Sequence, residues 1–208
     1  MRVLCGFWVL AAVVMLSACA GMSEQACLST DWRSVGFEDG IAGRSAGSIG
    51  NYRQSCSRHG VSPDLAAYRS GHEDGVQSYC RAGNGFEVGR RGSRYQGVCP
   101  IDLESDFLAA YNEGRQLYEL EAAVRTIENQ IAAGQRRTEE LTQAIVAASV
   151  TIIADETTPA QRAELLASTG AMAAEKVQIG EDIEELEIEL TFRQSELLAY
   201  RQTLAFAF

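Results

Sequence analysis

Six cysteines, two histidines and a loose group of arginines are the side chains whose types could do chemistry. Thiolates attack carbonyls or bind metals, imidazoles move protons, and guanidiniums hold anions. Spacing decides which of these routes is open. Cys27, Cys56, Cys80 and Cys99 are widely separated and include no Cys-x-x-Cys pair. A zinc site is therefore a poor reading, and no metal or cofactor is expected. His72 precedes Glu73 and Asp74, but adjacent helical side chains point about 100° apart and do not converge. His59 has no acidic neighbour in the chain. The single lysine, Lys176, follows no phosphate-cradling glycine loop. Arg81, Arg90, Arg91 and Arg94 form a basic group that could contact an anion such as a lipid A or teichoic-type phosphate. The alternative is a solvated face paired with nearby Glu and Asp. No catalytic set assembles, so the expectation is a protein that is not an enzyme.

The remaining two cysteines lie in a different context. Arg2 is followed by an almost wholly apolar run from Val3 to Leu16, then by Ser17, Ala18 and Cys19. That order is a secretory signal. The run is shorter than the roughly 20 apolar residues that a spanning helix needs. Leu16-Ser17-Ala18-Cys19 has the pattern of a bacterial lipobox, with cleavage before Cys19 and lipidation of its sulfur. Residues 1–18 would be the signal peptide, Cys5 would be lost with it, and residues 19–26 would be a tether. Three acyl chains at about 0.8 kcal/mol per buried CH₂ make such an anchor effectively permanent. Ala20, in place of Asp, favours the outer membrane in the lipoproteins of enteric bacteria that this pattern resembles. The expected location is the bacterial envelope, facing the periplasm. In that oxidising space four further cysteines read as a disulfide framework. Three pairings are possible. Cys27–Cys56 with Cys80–Cys99 is preferred because each pair encloses a short helical segment and a return.

Charge divides the chain near residue 102. Residues 19–102 hold nine Arg against nine Asp and Glu, whereas residues 103–208 hold 19 Asp and Glu against eight Arg and Lys. The acidic half repels nucleic acid and anionic lipid surfaces, so no nucleic-acid partner is expected. All four paired cysteines fall in the balanced half, a unit of residues 27–102 that is marginal on its core alone.

That unit repeats itself. Trp32-Arg33-Ser34-Val35-Gly36-Phe37-Glu38-Asp39-Gly40 recurs as Tyr68-Arg69-Ser70-Gly71-His72-Glu73-Asp74-Gly75. Gly85-Phe86-Glu87-Val88-Gly89 is a third copy, and Tyr111-Asn112-Glu113-Gly114-Arg115 a fading fourth. The shared element is an aromatic residue near glycines four apart. On a helix those glycines share one face and strip it of Cβ atoms, so another backbone can approach. Each glycine costs about 1 kcal/mol against alanine in a helix, which close packing must offset. The expectation is several short helices packed on glycine faces, with Trp32, Tyr52, Tyr68, Tyr79, Phe86 and Tyr95 filling the gaps. Gly60 reads as a helix end and Ser62-Pro63 as the next start.

The string Asp31-Trp32, Gly36, Asp39-Gly40, Gly43, Cys56, His59-Gly60, Tyr68, Gly71, Gly75, Tyr79-Cys80, Gly85, Gly89, Gly92, Tyr95, Gly97, Cys99-Pro100, Phe107, Tyr111 and Gly114 resembles the bacterial lipoproteins grouped as domain of unknown function 2799. The similarity covers about residues 25–115. It implies an envelope location and the four cysteines as a set. It implies no catalytic residue and no ligand.

From Leu117 the apolar or small residues step by three and four through Leu120, Val124, Ile127, Ile131, Gly134, Thr138, Leu141, Ile145, Ala148 and Ile152. This is a heptad seam thinned at Gly134 and Thr138. Asp155-Glu156-Thr157-Thr158-Pro159 breaks it, with Thr158 as N-cap and Pro159 at N1. A second seam runs Leu165, Thr169, Met172, Lys176, Ile179, Ile183, Leu186, Leu190, Arg193, Leu197, Tyr200 and Leu204, and Ile188 and Leu198 suggest a wider stripe. Residues 103–208 thus read as an antiparallel two-helix coiled coil with arms of about 103–154 and 158–206. Phe206 and Phe208 are expected to pack back on the Gly-rich unit. The whole is mainly α: a small disulfide-stapled, Gly-rich helical unit followed by a long hairpin. The function expected is a lipid-anchored structural or interaction role, with the acidic arm spacing or docking an envelope partner. A peptidoglycan- or glycan-binding module is the alternative, motivated by the aromatic residues and Arg81, Arg90 and Arg94.

Overall fold

The structure, a computed structural model, describes residues 22–205. The signal segment, Cys5, Cys19, Phe206 and Phe208 lie outside them. Seven α-helices make up the described chain: α1 (Glu24–Ser29), α2 (Trp32–Ile41), α3 (Ile49–Ser57), α4 (Leu65–Tyr79), α5 (Ala82–Arg90), α6 (Ile101–Ile152) and α7 (Pro159–Ala205). A 3₁₀ turn at Ala46–Ser48 leads into α3. No strand occurs among the described residues. Two compact units form. The first takes the described residues up to Gly89 together with Ser93–Asn112, and the second takes Arg90–Gly92 and the chain from Glu113. The first unit therefore extends past the charge break at residue 102 into α6, because Phe107 and Tyr111 belong to its core.

Local rules set the helix ends. Asp31 and Asp64 cap α2 and α4 by accepting the backbone N–H groups of Arg33 at 3.1 Å and Ala67 at 2.9 Å. The start of α4 is thus Asp64-Leu65 and not Ser62-Pro63. The Asp64 carboxylate satisfies a free N–H of the first turn, and Pro63 lies just outside the helix. Gly43, with φ +68°, ends α2. Its N–H donates to the Gly40 carbonyl and the Arg44 N–H donates to the Asp39 carbonyl, the paired bonds that close a helix on a left-handed glycine. Gly60 ends α3 the same way, as its position suggests.

The two leading repeats pack on each other. Helices α2 and α4 run parallel, with Gly36 and Gly40 against Gly71 and Gly75. A Cβ at Gly36 would overlap the Tyr68 carbonyl oxygen, and one at Gly71 would overlap that of Arg33. A Cβ at Gly40 would stand 2.5 Å from the His72 carbonyl oxygen. Each glycine turns a Cα–H toward a carbonyl of the other helix, the weak bond that recurs where helices nearly touch. The third repeat is used likewise: Gly85 of α5 lies against the Phe107 carbonyl of α6.

Two small cores flank this contact. Cys27, Trp32, Ile49, Cys56 and Tyr68 form one, and Val76, Tyr79, Cys80, Val88, Cys99 and Phe107 the other. Each holds one disulfide. Cys27 is bonded to Cys56 and Cys80 to Cys99, with Cα separations of 5.7 and 5.5 Å. The second bridge encloses α5 and a return. The first encloses more than a single short helix, since all of α2 and most of α3 lie within it. In the chain-entropy account, closing loops of these lengths stabilises by about 3–4 kcal/mol each.

The second unit is a helical hairpin. Arg137 of α6 makes a two-pronged pair with Glu175 of α7 at 2.8 and 3.2 Å. Arg201 reaches Glu121 at 2.7 Å, and the Tyr200 hydroxyl donates to the Glu113 carbonyl at 3.0 Å. Glu113 and Glu121 near the start of this stretch of α6 meet Tyr200 and Arg201 near the end of α7, while Arg137 farther along α6 meets Glu175, so the arms are antiparallel. At the turn, Thr158 and Gln161 form a reciprocal capping box. The Arg162 guanidinium donates to the Ala154 and Thr157 carbonyls.

Candidate functional site

In the first unit the deepest polar group is Asp39, which is 1% exposed. Its place follows from helix spacing: Trp32, Gly36, Asp39 and Gly40 are the buried residues of α2 and share one face. Oδ2 accepts the Tyr68 hydroxyl at 2.7 Å. Oδ1 accepts Arg44 Nη1 at 2.8 Å and the Tyr52 hydroxyl at 3.4 Å. Just beyond, His72 Nε2 lies 2.7 Å from the Arg44 carbonyl oxygen. A carbonyl only accepts, so this nitrogen carries the proton. The His72 ring stacks on Tyr68 at 6.1 Å between centroids. Helix α2, helix α4 and the segment between α2 and α3 thus meet at one carboxylate.

The electrostatics follow from burial and from that carboxylate. Burial pushes the Tyr68 phenol well above its ordinary value, and its hydrogen bond to Asp39 adds to the shift. Tyr52 moves the same way, first through burial and then through the Asp39 charge. The Arg44 guanidinium is raised by its hydrogen bond to Asp39. Both phenols stay protonated and both carboxylate oxygens are occupied. Every polar atom of this cluster that has been named holds another part of the fold, so its chemistry is that of a clamp.

From the sequence, Tyr52 and Tyr68 are expected as packing rings and Asp39 appears only in the repeat and the family string; the three are not brought together as a clamp. The signal was present. Asp39 lies seven residues after Trp32 and one before Gly40, on the face that the glycines mark. Its counterpart in the second repeat, Asp74, is exposed and pairs with Arg33 at 2.5 Å. The repeat copies the residue type but not its surroundings.

The residues expected to carry function are placed as follows. Cys27, Cys56, Cys80 and Cys99 are buried and paired. Arg81, Arg90, Arg91 and Arg94 are all exposed. Arg81 precedes α5 and Arg90 ends it, so about 13 Å of helix rise separates them. His72 is in the clamp, while Glu73 and Asp74 are exposed. His59 Nε2 contacts the Met22 carbonyl at 3.1 Å. No group of three His, Cys, Asp or Glu suited to a metal occurs among the described residues. Of the six aromatic rings, Trp32, Tyr68 and Tyr79 are buried and Tyr52, Phe86 and Tyr95 half-buried. They pack against other rings, as in Trp32–Tyr52 at 5.8 Å and Tyr95–Phe107 at 4.9 Å.

On the hairpin, the α7 seam residues from Leu165 to Leu204 are each buried or half-buried. The stripe is no wider than that: Ile188 is 75% exposed and Leu198 59%. A single partner helix covers only the strip facing it, and these two point away. Gly134 faces Ile183 and Ile179 across the seam. Thr138 Oγ1 is buried there without a hydrogen-bond partner. No helix among the described residues is long and apolar enough to cross a membrane.

Comparison with known proteins finds no match among curated proteins and none among solved structures. Residues 31–116 match a family model described as "Protein of unknown function (DUF2799)". The matched stretch begins after Cys27 and takes in Cys56, Cys80 and Cys99, the facing glycines, Asp39 and its partners. Over residues 31–116, the segment built on those glycines, this chain is similar to the DUF2799 family of proteins of unknown function.

Proposed function

We propose that this protein is a lipid-anchored component of the bacterial envelope with a structural or docking role, its acidic hairpin acting as a spacer or partner arm. The observation that carries the reading is the division of labour along the chain. The buried polar groups of the first unit, Asp39 and His72, are committed to holding α2, α4 and the segment between them. In the hairpin, α6 contributes Glu113–Ile152 and α7 its 47 residues, arms of about 60–70 Å at 1.5 Å per residue that present long charged faces. The N-terminal Leu16-Ser17-Ala18-Cys19 pattern supports the anchor, and the two disulfides suit an oxidising compartment. Fractionation of cells tests it. Native protein is expected in the membrane pellet, and Cys19→Ser in the soluble periplasmic fraction or retained as precursor. Native protein in the cytosol would end the reading.

A further inference from the structure

The lipid-bearing position stands close to the fold. Helix α1 begins at Glu24, and the Ser23 hydroxyl caps it by accepting the Ala26 N–H at 3.2 Å. Met22 packs against the core of Cys27, Trp32 and Cys56, and its carbonyl oxygen lies 3.1 Å from His59 Nε2. The Cys27–Cys56 bridge ties α1 to the last turn of α3. From Met22 onward the chain is thus part of the first unit, and only Ala20 and Gly21 separate it from Cys19. Three peptide units reach at most about 11 Å. The surface beside Met22 is the end of α3, where Ser57, Arg58 and His59 are exposed. No Asp or Glu occurs from Ala42 to Pro63, whereas Arg44, Arg53 and Arg58 do. Arg44 is engaged by Asp39. Arg53 and Arg58 are exposed and enter no ion pair among the described residues. Arg53, Gln54, Ser57 and Ser62 line a groove of about 350 Å³ that has no acid in its wall.

We propose that this end of the first unit rests on the bilayer that holds Cys19, with Arg53 and Arg58 taking lipid phosphates. Reach selects the occupant. A lipid-bearing Cys19 sits at the headgroup level, a layer roughly 5–8 Å deep on each side of the hydrocarbon. A tether of at most about 11 Å leaves no room for a globular protein between Met22 and those headgroups. Net charge does not select it, because Glu24 at the start of α1 and Asp64 just after Pro63 offset the two arginines. What the arginines add is geometry. The Asp64 carboxylate is held by the Ala67 N–H, while both guanidiniums are free to take a phosphate two-pronged. The opposite end of the unit is set well apart. Helix α4 starts beside the same core at Leu65 and runs about 21 Å to Tyr79, and Gly83 lies beyond it in α5. The inference rests on the lipid anchor of the proposed function and adds which surface that anchor holds to the membrane.

Photo-cross-linking of the full-length protein in isolated cell envelopes tests the proposal. Benzoylphenylalanine replaces Ser57 in one variant and Gly83 in another. Ser57 is exposed, and a Cβ at Gly83 meets nothing within 4 Å, so neither change enters packed space. Intact mass then reads the adduct and the lipid on Cys19 together. The expected result is an adduct with phosphatidylethanolamine or phosphatidylglycerol, several-fold more abundant in the Ser57 variant than in the Gly83 variant. Roughly eight Gly and Ser residues inserted after Gly21 lengthen the reach by about 28 Å, and the Ser57-variant yield is expected to fall several-fold. Arg53→Glu with Arg58→Glu, which repels phosphate, is expected to lower it as well. Lipidated protein whose two variants give equal yields overturns the inference and leaves the anchor standing. So does a Ser57 variant that takes protein or murein in place of lipid, or a yield unchanged by the insertion or by the paired Glu substitutions. Protein without lipid on Cys19 ends both readings.

Discussion

Gly36 and Gly71 each face a carbonyl oxygen of the opposite helix, so no side chain fits without separating α2 from α4. Gly36→Ala or Gly71→Ala is expected to destabilise by at least about 2 kcal/mol, the range of an overpacked core. Gly50, in α3, has nothing within 4 Å of a Cβ, and Gly50→Ala should stabilise by about 0.5–1 kcal/mol through the lost backbone freedom. Urea denaturation separates the two outcomes, and equal effects at both kinds of site would contradict the packing described. At Asp39, alanine leaves the buried Tyr68 hydroxyl without its acceptor, a loss of about 2–3 kcal/mol. Tyr68 also sets a pH dependence. Its pKa is raised in the folded state, whereas the unfolded chain releases that proton near pH 10. Above that pH the folded state holds more protons than the unfolded one, so stability falls as pH rises. Below pH 10 the contribution is fully present. Tyr68→Phe should flatten the alkaline limb of a stability–pH curve, and an unchanged limb would contradict the burial. The glycines were legible because four-residue spacing has a single geometric use. The buried Asp39 was harder, because its exposed copy, Asp74, has the same neighbours in sequence. Only the partners brought from α4 and from the segment after α2 distinguish the two.

Among the elements, the hairpin was the easiest to read. Heptad spacing maps directly onto which side chains face the partner helix, and both seams follow it. Ile188 and Leu198 were harder to place, since apolar residues beside a seam widen the buried stripe only where a third helix covers them. Thr138 marks a weak point in α6, with its hydroxyl buried and unpartnered. Thr138→Val keeps the shape and removes that polar atom, so the hairpin should gain about 1 kcal/mol. A loss of stability in thermal melts would mean that the hydroxyl has a partner. The turn was only partly legible. Thr158 and Pro159 announce the start of α7, and Gln161, which completes the cap, is named by the capping-box spacing once Thr158 is fixed. The start of α4 was misplaced for a related reason: Ser-Pro and Asp-Leu are both helix starts, and packing of Tyr68 on α2 selects the second.

At the scale of the molecule, a stapled unit whose residues 31–116 match the DUF2799 model is followed by a long acidic hairpin, and the proposed lipid anchor would hold both outside the cytoplasm. The pairing of cysteines was beyond spacing alone, since three pairings satisfy it; the helix packing that brings Cys27 to Cys56 and Cys80 to Cys99 decides it. The most direct measurement is intact-mass spectrometry of protein extracted from membranes. The account expects a chain beginning at Cys19, carrying a diacylglycerol thioether and an amide-linked acyl chain, and lighter by four hydrogens for Cys27, Cys56, Cys80 and Cys99. A chain that begins at Met1, bears no lipid and reacts with thiol reagents at those four positions would contradict it.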